Sequence, residues 1–137
     1  MKLVVEVITE TGHRLNRYKG KCKNLHGHSW RWVIELEGEV NPKTGMVVDF
    51  GEVKKLVEKE FDHKFLFHRK DKLFNFVLDI ENMESVGLKP MPFNPTSENL
   101  AHYTATKILE RFKEVRRVKI DLWETKNNKV SVEVSKG

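Results

Sequence analysis

The chain has 137 residues, with 25 Lys and Arg against 20 Asp and Glu. That length suits one domain, 1–137, with a real core and is too short for two comfortable ones. No apolar run approaches the roughly 18 residues of a membrane span, and a single cysteine, Cys22, excludes an intrachain disulfide.

The opening stretch Met1-Lys2-Leu3-Val4-Val5-Glu6 lacks the apolar core of a signal peptide, so a cytoplasmic location is expected. A net charge of +5 fits nucleic acid, a membrane surface or an anionic small molecule as partner. Lysine and glutamate alternate through residues 52–60 and 113–119, which reads as solvated surface. The exception is Arg14, Arg17, Lys19, Lys21 and Lys23, a basic cluster that favours an anionic ligand over a nucleic-acid stripe.

In chain order, Leu3, Val5 and Val7 alternate with Lys2 and Glu6, which predicts a strand over residues 3–9. Residues 11–27 hold Gly12, Gly20, Asn24 and Gly27 and read as a loop carrying His13 and Cys22. Over residues 28–38, Trp30, Trp32, Ile34 and Leu36 alternate with Ser29, Arg31, Glu35 and Glu37, the clearest strand in the chain. Asn41-Pro42-Lys43-Thr44-Gly45 is a turn. Asp49 then caps a helix from about 50 to 60, with Phe50, Val53, Leu56, Val57 and Phe61 at helical spacing. Met46 and Phe50 are expected in the core, and Asp62-His63 follows the helix directly.

Residues 64–95 carry no clear period. Residues 73–80 fit a helix or a strand, and Pro90, Pro92 and Pro95 mark an extended return. Pro95-Thr96-Ser97-Glu98-Asn99 opens a second helix with Thr96 or Ser97 as cap, and Ala101, Thr104, Ala105, Ile108 and Phe112 form its buried face. Val118, Ile120 and Leu122 then alternate with charged residues, and Asn127-Asn128 turns the chain into Val130, Val132 and Val134. The expected class is α+β: a four-stranded antiparallel sheet with two helices on one face, in ββααββ order.

His26 and His28 share the parity of the apolar face of their strand, so both rings project to one side. With His13 as a third donor, three imidazoles leave one tetrahedral position open, as in a catalytic rather than a structural zinc site. Cys22 is a nucleophile or base candidate, or an inert thiol. Glu124 shares the parity of Val118, Ile120 and Leu122, so it lies past the core edge or is buried against a specific partner. His68 and His102 sit in no motif.

Taken in order, His13, Cys22 with His26-Gly27-His28, Gly45-Met46-Val47-Val48-Asp49-Phe50, Asp62-His63, Pro95-Thr96-Ser97-Glu98-Asn99 and Trp123-Glu124-Thr125 resemble the 6-pyruvoyl-tetrahydropterin synthase family. That family includes the 6-carboxy-tetrahydropterin synthases of queuosine biosynthesis. The three residues between Cys22 and His26 are similar to the carboxypterin branch; the pyruvoyl-forming branch has a longer gap. Thr9, where the family often has an aromatic, and Leu66-Phe67 after Asp-His depart from the pattern.

The resemblance implies the tunnelling fold, with homo-oligomeric rings, a hexamer of two stacked trimers and active sites between subunits. It implies conversion of 7,8-dihydroneopterin triphosphate to 6-carboxy-tetrahydropterin with loss of acetaldehyde and triphosphate. His13, His26 and His28 would hold Zn2+, Cys22 would be the base, and Asp62 would orient His63 as a proton relay. Glu124, with Thr96 and Glu98, would bind the pterin. Competing expectations are pyruvoyl-tetrahydropterin formation, an aldolase-like cleavage of dihydroneopterin, a basic nucleic-acid-binding module and a structural zinc protein.

Overall fold

The computed structural model describes residues 1–79 and 83–137, apart from the side chains of Cys22 and residues 77–79. Its frame is the antiparallel pair β1 (Lys2–His13) and β2 (His26–Gly38), which meet with Val5 opposite Ile34, Val7 opposite Trp32 and His13 opposite His26. Every second residue points inward: Val5 and Val7 of β1 and Trp30, Trp32, Ile34 and Leu36 of β2 are buried.

α1 (Phe50–Phe61) starts at Asp49, whose side chain accepts from the Gly51 amide, and buries Val53, Val57 and Phe61 against the sheet. β3 (Lys64–His68) and β4 (Leu88–Met91) follow, separated by short 3-10 turns. α2 (Ser97–Arg111) is capped by Thr96, whose hydroxyl accepts from the Asn99 amide, and buries Leu100, Ala101, Ala105 and Ile108. β5 (Val115–Thr125) and β6 (Asn128–Ser135) close the chain as a hairpin, and Asn128 opens the second strand of it rather than belonging to the turn. Among the described residues no helix is long and apolar enough to cross a membrane.

The sheet has six strands in the order β4-β3-β1-β2-β5-β6, and the chain order is ββαββαββ, which corrects the four-stranded antiparallel ββααββ expectation. β1, β2, β5 and β6 are antiparallel, but β3 pairs parallel to β1 and β4 parallel to β3. The added strands are short and lack alternation because β3 is covered on both sides. Leu66 enters the main core, while its neighbour Phe67 stacks on Phe74 at 4.3 Å between centroids. Pro90 is tolerated because β4 is an edge strand.

Three local expectations also change. His13 is the last residue of β1 and not part of a loop. Met46 and Phe50 are about half exposed rather than core, because Val47 and Val48 fill the place under the turn. Residues 72–79 form 3-10 turns rather than a regular helix or strand, and Ile80 lies outside the described residues.

A buried polar chain ties α1 to β1. Trp32 Nε1 donates to Thr9 Oγ1 at 3.0 Å, and Thr11 Oγ1 lies 2.9 Å from both Thr9 Oγ1 and the Phe61 carbonyl oxygen. The Trp32 ring stacks on Phe61 at 5.0 Å. Farther along α1, Glu60 joins three elements, pairing with Lys89 of β4 and with Lys107 of α2 at 2.6 Å.

Thr11→Val keeps the shape but strips the Phe61 carbonyl of its donor; in urea unfolding it is expected to cost about 1–3 kcal/mol. Burial pushes the Glu60 carboxyl up, but hydrogen bonds and charge from Lys107 and Lys89 outweigh it and hold its pKa below the ordinary value. The folded state therefore takes up this proton less readily than the unfolded one. The stabilisation is complete above the ordinary carboxylate pKa and is lost as pH falls through the lowered one. Melting temperatures measured from neutral to acid pH should fall more steeply for the wild type than for Glu60→Gln.

Candidate metal centre

Strand pairing delivers three imidazoles to one spot. His13 ends β1 directly opposite His26, the first residue of β2, and His28 lies two residues further along the same face. Gly12 permits the arrangement, since a Cβ there would stand 2.6 Å from the Phe65 ring of β3. The three ring centroids lie 4.5 to 5.2 Å apart, over the buried ring of Trp30. Glu124 joins them from β5. It sits where the β5–β6 register shifts between Trp123 and Thr125, a bulge that re-aims a side chain. One donor atom from each of His13, His26, His28 and Glu124 falls within 4.8 Å of all the others.

The donors are held in the form a cation needs. His13 Nδ1 donates to the Pro95 carbonyl at 2.7 Å, which leaves its buried Nε2 as a lone pair with no protein partner. Burial, helped by His26 and His28 and opposed by the Pro95 carbonyl, pushes His13 down to about 4, so the ring is neutral at pH 7. His26 Nδ1 is fixed in the same manner by the Asn24 carbonyl at 2.7 Å. His28 Nε2 is also buried, with Glu124 Oε1 at 3.0 Å but no aligned hydrogen bond. Burial lowers the pKa of His28, although Glu124 opposes it. An orphaned buried ring nitrogen among three imidazoles and a carboxylate fits a divalent cation.

A cleft of about 270 Å³ opens beside this group, and Arg17, Tyr18, Thr96, Glu98 and Glu124 line it together with His13. Thr96 and Glu98 thus share one cavity with Glu124. A larger cavity, about 680 Å³, lies between α1, β4 and α2, but it is lined by no histidine and its Lys89 and Lys107 are taken up by Glu60. The chemistry therefore belongs to the smaller cleft.

Asp62 and His63 stand apart from it. Asp62 Oδ1 accepts from the Glu10 amide at 2.9 Å and Oδ2 lies 3.1 Å from His63 Nδ1. Partial burial pushes Asp62 up, but the Glu10 amide and His63 outweigh it and hold the carboxyl below its usual range. The His63 side chain is 79% exposed and lines no part of the histidine cleft. Cys22 lies on a 3-10 turn, Lys21–Lys23, whose Lys23 carbonyl accepts from Arg14 Nε at 2.7 Å; the thiol itself is outside the described side chains.

Sequence reasoning misses the carbonyls of Pro95 and Asn24 that orient the rings, since a backbone acceptor leaves no trace in residue type. It names Arg17 only as one of five cations in the basic cluster, and it misses Asn94. Among the described residues, Arg17 and His63 are the non-glycine residues with left-handed backbone, φ 58° and 57°, a conformation that costs on the order of 1–3 kcal/mol and gathers at functional sites.

The family model for 6-pyruvoyl tetrahydropterin synthase matches residues 2–135. A 6-carboxy-5,6,7,8-tetrahydropterin synthase of Rickettsia typhi is 36% identical over 106 residues, spanning 74% of this chain and 75% of the relative. Its counterpart in Rickettsia bellii is 32% identical over 130 residues, spanning 90% and 93%. The crystal structure of a 6-pyruvoyl tetrahydropterin synthase from Plasmodium vivax shares the fold, with a TM-score of 0.71 over 98% of both chains at 19% identity.

His13→Ala is expected to cut the metal content of the purified protein, measured by elemental analysis, from about one ion per chain to roughly a tenth of that or less. The β-sheet circular dichroism should be kept, because the core under the site is independent of the ion.

Proposed function

The chain belongs to the 6-pyruvoyl tetrahydropterin synthase family, and on that premise we propose that it is a zinc-dependent lyase of the carboxypterin branch. In this reading it converts 7,8-dihydroneopterin triphosphate to 6-carboxy-5,6,7,8-tetrahydropterin, releasing acetaldehyde and triphosphate, on the route to a queuosine-type tRNA base. The observation that carries it is the convergence of His13, His26, His28 and Glu124 beside a cleft of about 270 Å³. The relatives named as carboxypterin synthases and the short spacing from Cys22 to His26 support this branch.

The three imidazoles would hold zinc, which would supply a Lewis acid for a side-chain oxygen of the substrate and so make the adjacent C–H bonds more acidic. Cys22, as thiolate, takes a carbon-bound proton; Lys21 and Lys23 flank it in sequence and favour the ionised form. Glu124 accepts two hydrogen bonds from the guanidine-like edge of the pterin, and Thr96 and Glu98 complete that pocket. Asp62 fixes the His63 ring through Nδ1, leaving the other nitrogen to relay a proton on the opposite side of the substrate chain.

Since the His63 ring faces outward from its own chain, the reading assigns it to the cleft of a neighbouring copy. A homo-oligomer with sites between subunits follows, and a hexamer of two stacked trimers fits that requirement. Residues 1–137 act as one cytoplasmic domain in this account, with a pterin triphosphate and no nucleic acid as partner.

Incubation of the purified protein with 7,8-dihydroneopterin triphosphate should give a product with the mass of 6-carboxy-tetrahydropterin. A pyruvoyl product would move the chain to the other branch, and no pterin product at all would sink the reading. Cys22→Ala is expected to lower kcat by at least about 100-fold with metal content unchanged.

A further inference from the structure

The basic loop between the first two ligands offers five cations, and the structure separates them. Arg14 is spent on the fold: it pairs with Asp71, which is 2% exposed, and donates to the Lys23 carbonyl. Among the described residues lining the histidine cleft, Arg17 is the sole Lys or Arg.

Its backbone is costly. Arg17 has φ 58°, where glycine would sit without strain and an arginine does not. The residue before it is clamped through both of its backbone groups. The Asn16 amide donates to Asn94 Oδ1 at 2.7 Å, and Asn94 Nδ2 donates back to the Asn16 carbonyl at 2.8 Å. The Asn94 carbonyl in turn accepts from Asn99 Nδ2 at 2.9 Å and from the Thr96 amide at 2.8 Å, which fixes the loop to the start of α2. Among the described residues, the other non-glycine residue in this conformation is His63, the proposed proton relay. An arginine kept where glycine is easier, and held there by a dedicated clamp, is kept for its guanidinium.

The cleft is also polarised. Glu98 and Glu124 bring negative charge, and Arg17 brings positive charge. A ligand that suits both carries a guanidine-like edge and a polyanionic tail. We infer that Arg17 receives the phosphate chain of the substrate through its planar fork of N–H donors, and that Asn94 is the positioning residue that presents it. The identity of the anion as the triphosphate of a pterin rests on the function proposed above.

Binding of two fluorescent, unreactive probes, neopterin triphosphate and neopterin, tests this without turnover. The zinc-loaded wild type is expected to bind the triphosphate at least about tenfold more tightly. Arg17→Gly and Arg17→Gln should bring that preference to within about threefold while the neopterin Kd stays unchanged, and Arg17→Lys should keep part of it. Lys54→Gln, which removes one exposed charge from α1, should keep all of it. The melting temperature of Arg17→Gly should equal or exceed that of the wild type, because the left-handed strain is gone.

A preference that survives in Arg17→Gly, an equal loss for both probes, or no preference in the wild type overturns the inference. If the preference depends on Arg17 but no pterin is turned over, the inference stands and the proposed reaction falls. If turnover occurs and Arg17 has no influence on the preference, the reverse holds.

Discussion

The register of one strand pair governs the site. Facing His13 with His26 puts three rings on the inner side of the sheet, and a slip by one residue would turn them outward. Nothing in the three histidines enforces that register. It is set by Val5 against Ile34 and Val7 against Trp32, apolar pairs that cannot be moved to the solvent side without exposing Trp30 and Trp32, which are fully buried. The folding free energy of the core is thus what preorganises the ligands, and the ion need not gather them.

How far the sequence could be read depended on whether burial was apolar. His26 and His28 were legible because Trp30 to Leu36 alternate with only Val33 breaking the pattern. β1 was traced only to residue 9 because its inner face continues as Thr9 and Thr11, polar residues buried through hydrogen bonds to Trp32 and Phe61. His13 therefore looked like part of a loop. β3 and β4 stayed hidden because a short strand packed on both faces has no polar side to mark it. Glu124 could be placed on the inner face by parity, but the bulge that brings its oxygen to His28 has no signature in residue type.

The same polar chain that hid β1 has a structural role. It fastens the last turn of α1 to the strand bearing His13, so the Asp62-His63 pair leaves the helix from a fixed point and is secured again by the Glu10 backbone. His63 and the histidine cluster are consequently parts of one rigid frame although they face different surroundings. The proposed relay and the candidate metal site are kept apart within a chain, and apposition of copies in the proposed oligomer would bring them together.

Residues 14–25 leave the sheet at one ligand and return at the next, and the ladder fixes both ends. Apart from Asn24, whose carbonyl orients the His26 ring, their length and composition can change while the rings keep their places, since the ladder holds His13 and His26 in the sheet. Arg17, the proposed anion contact, and Cys22, the proposed base, both reside in that excursion. Divergence in what is bound or made can accordingly proceed by editing a single connection, with the coordinating scaffold inherited intact.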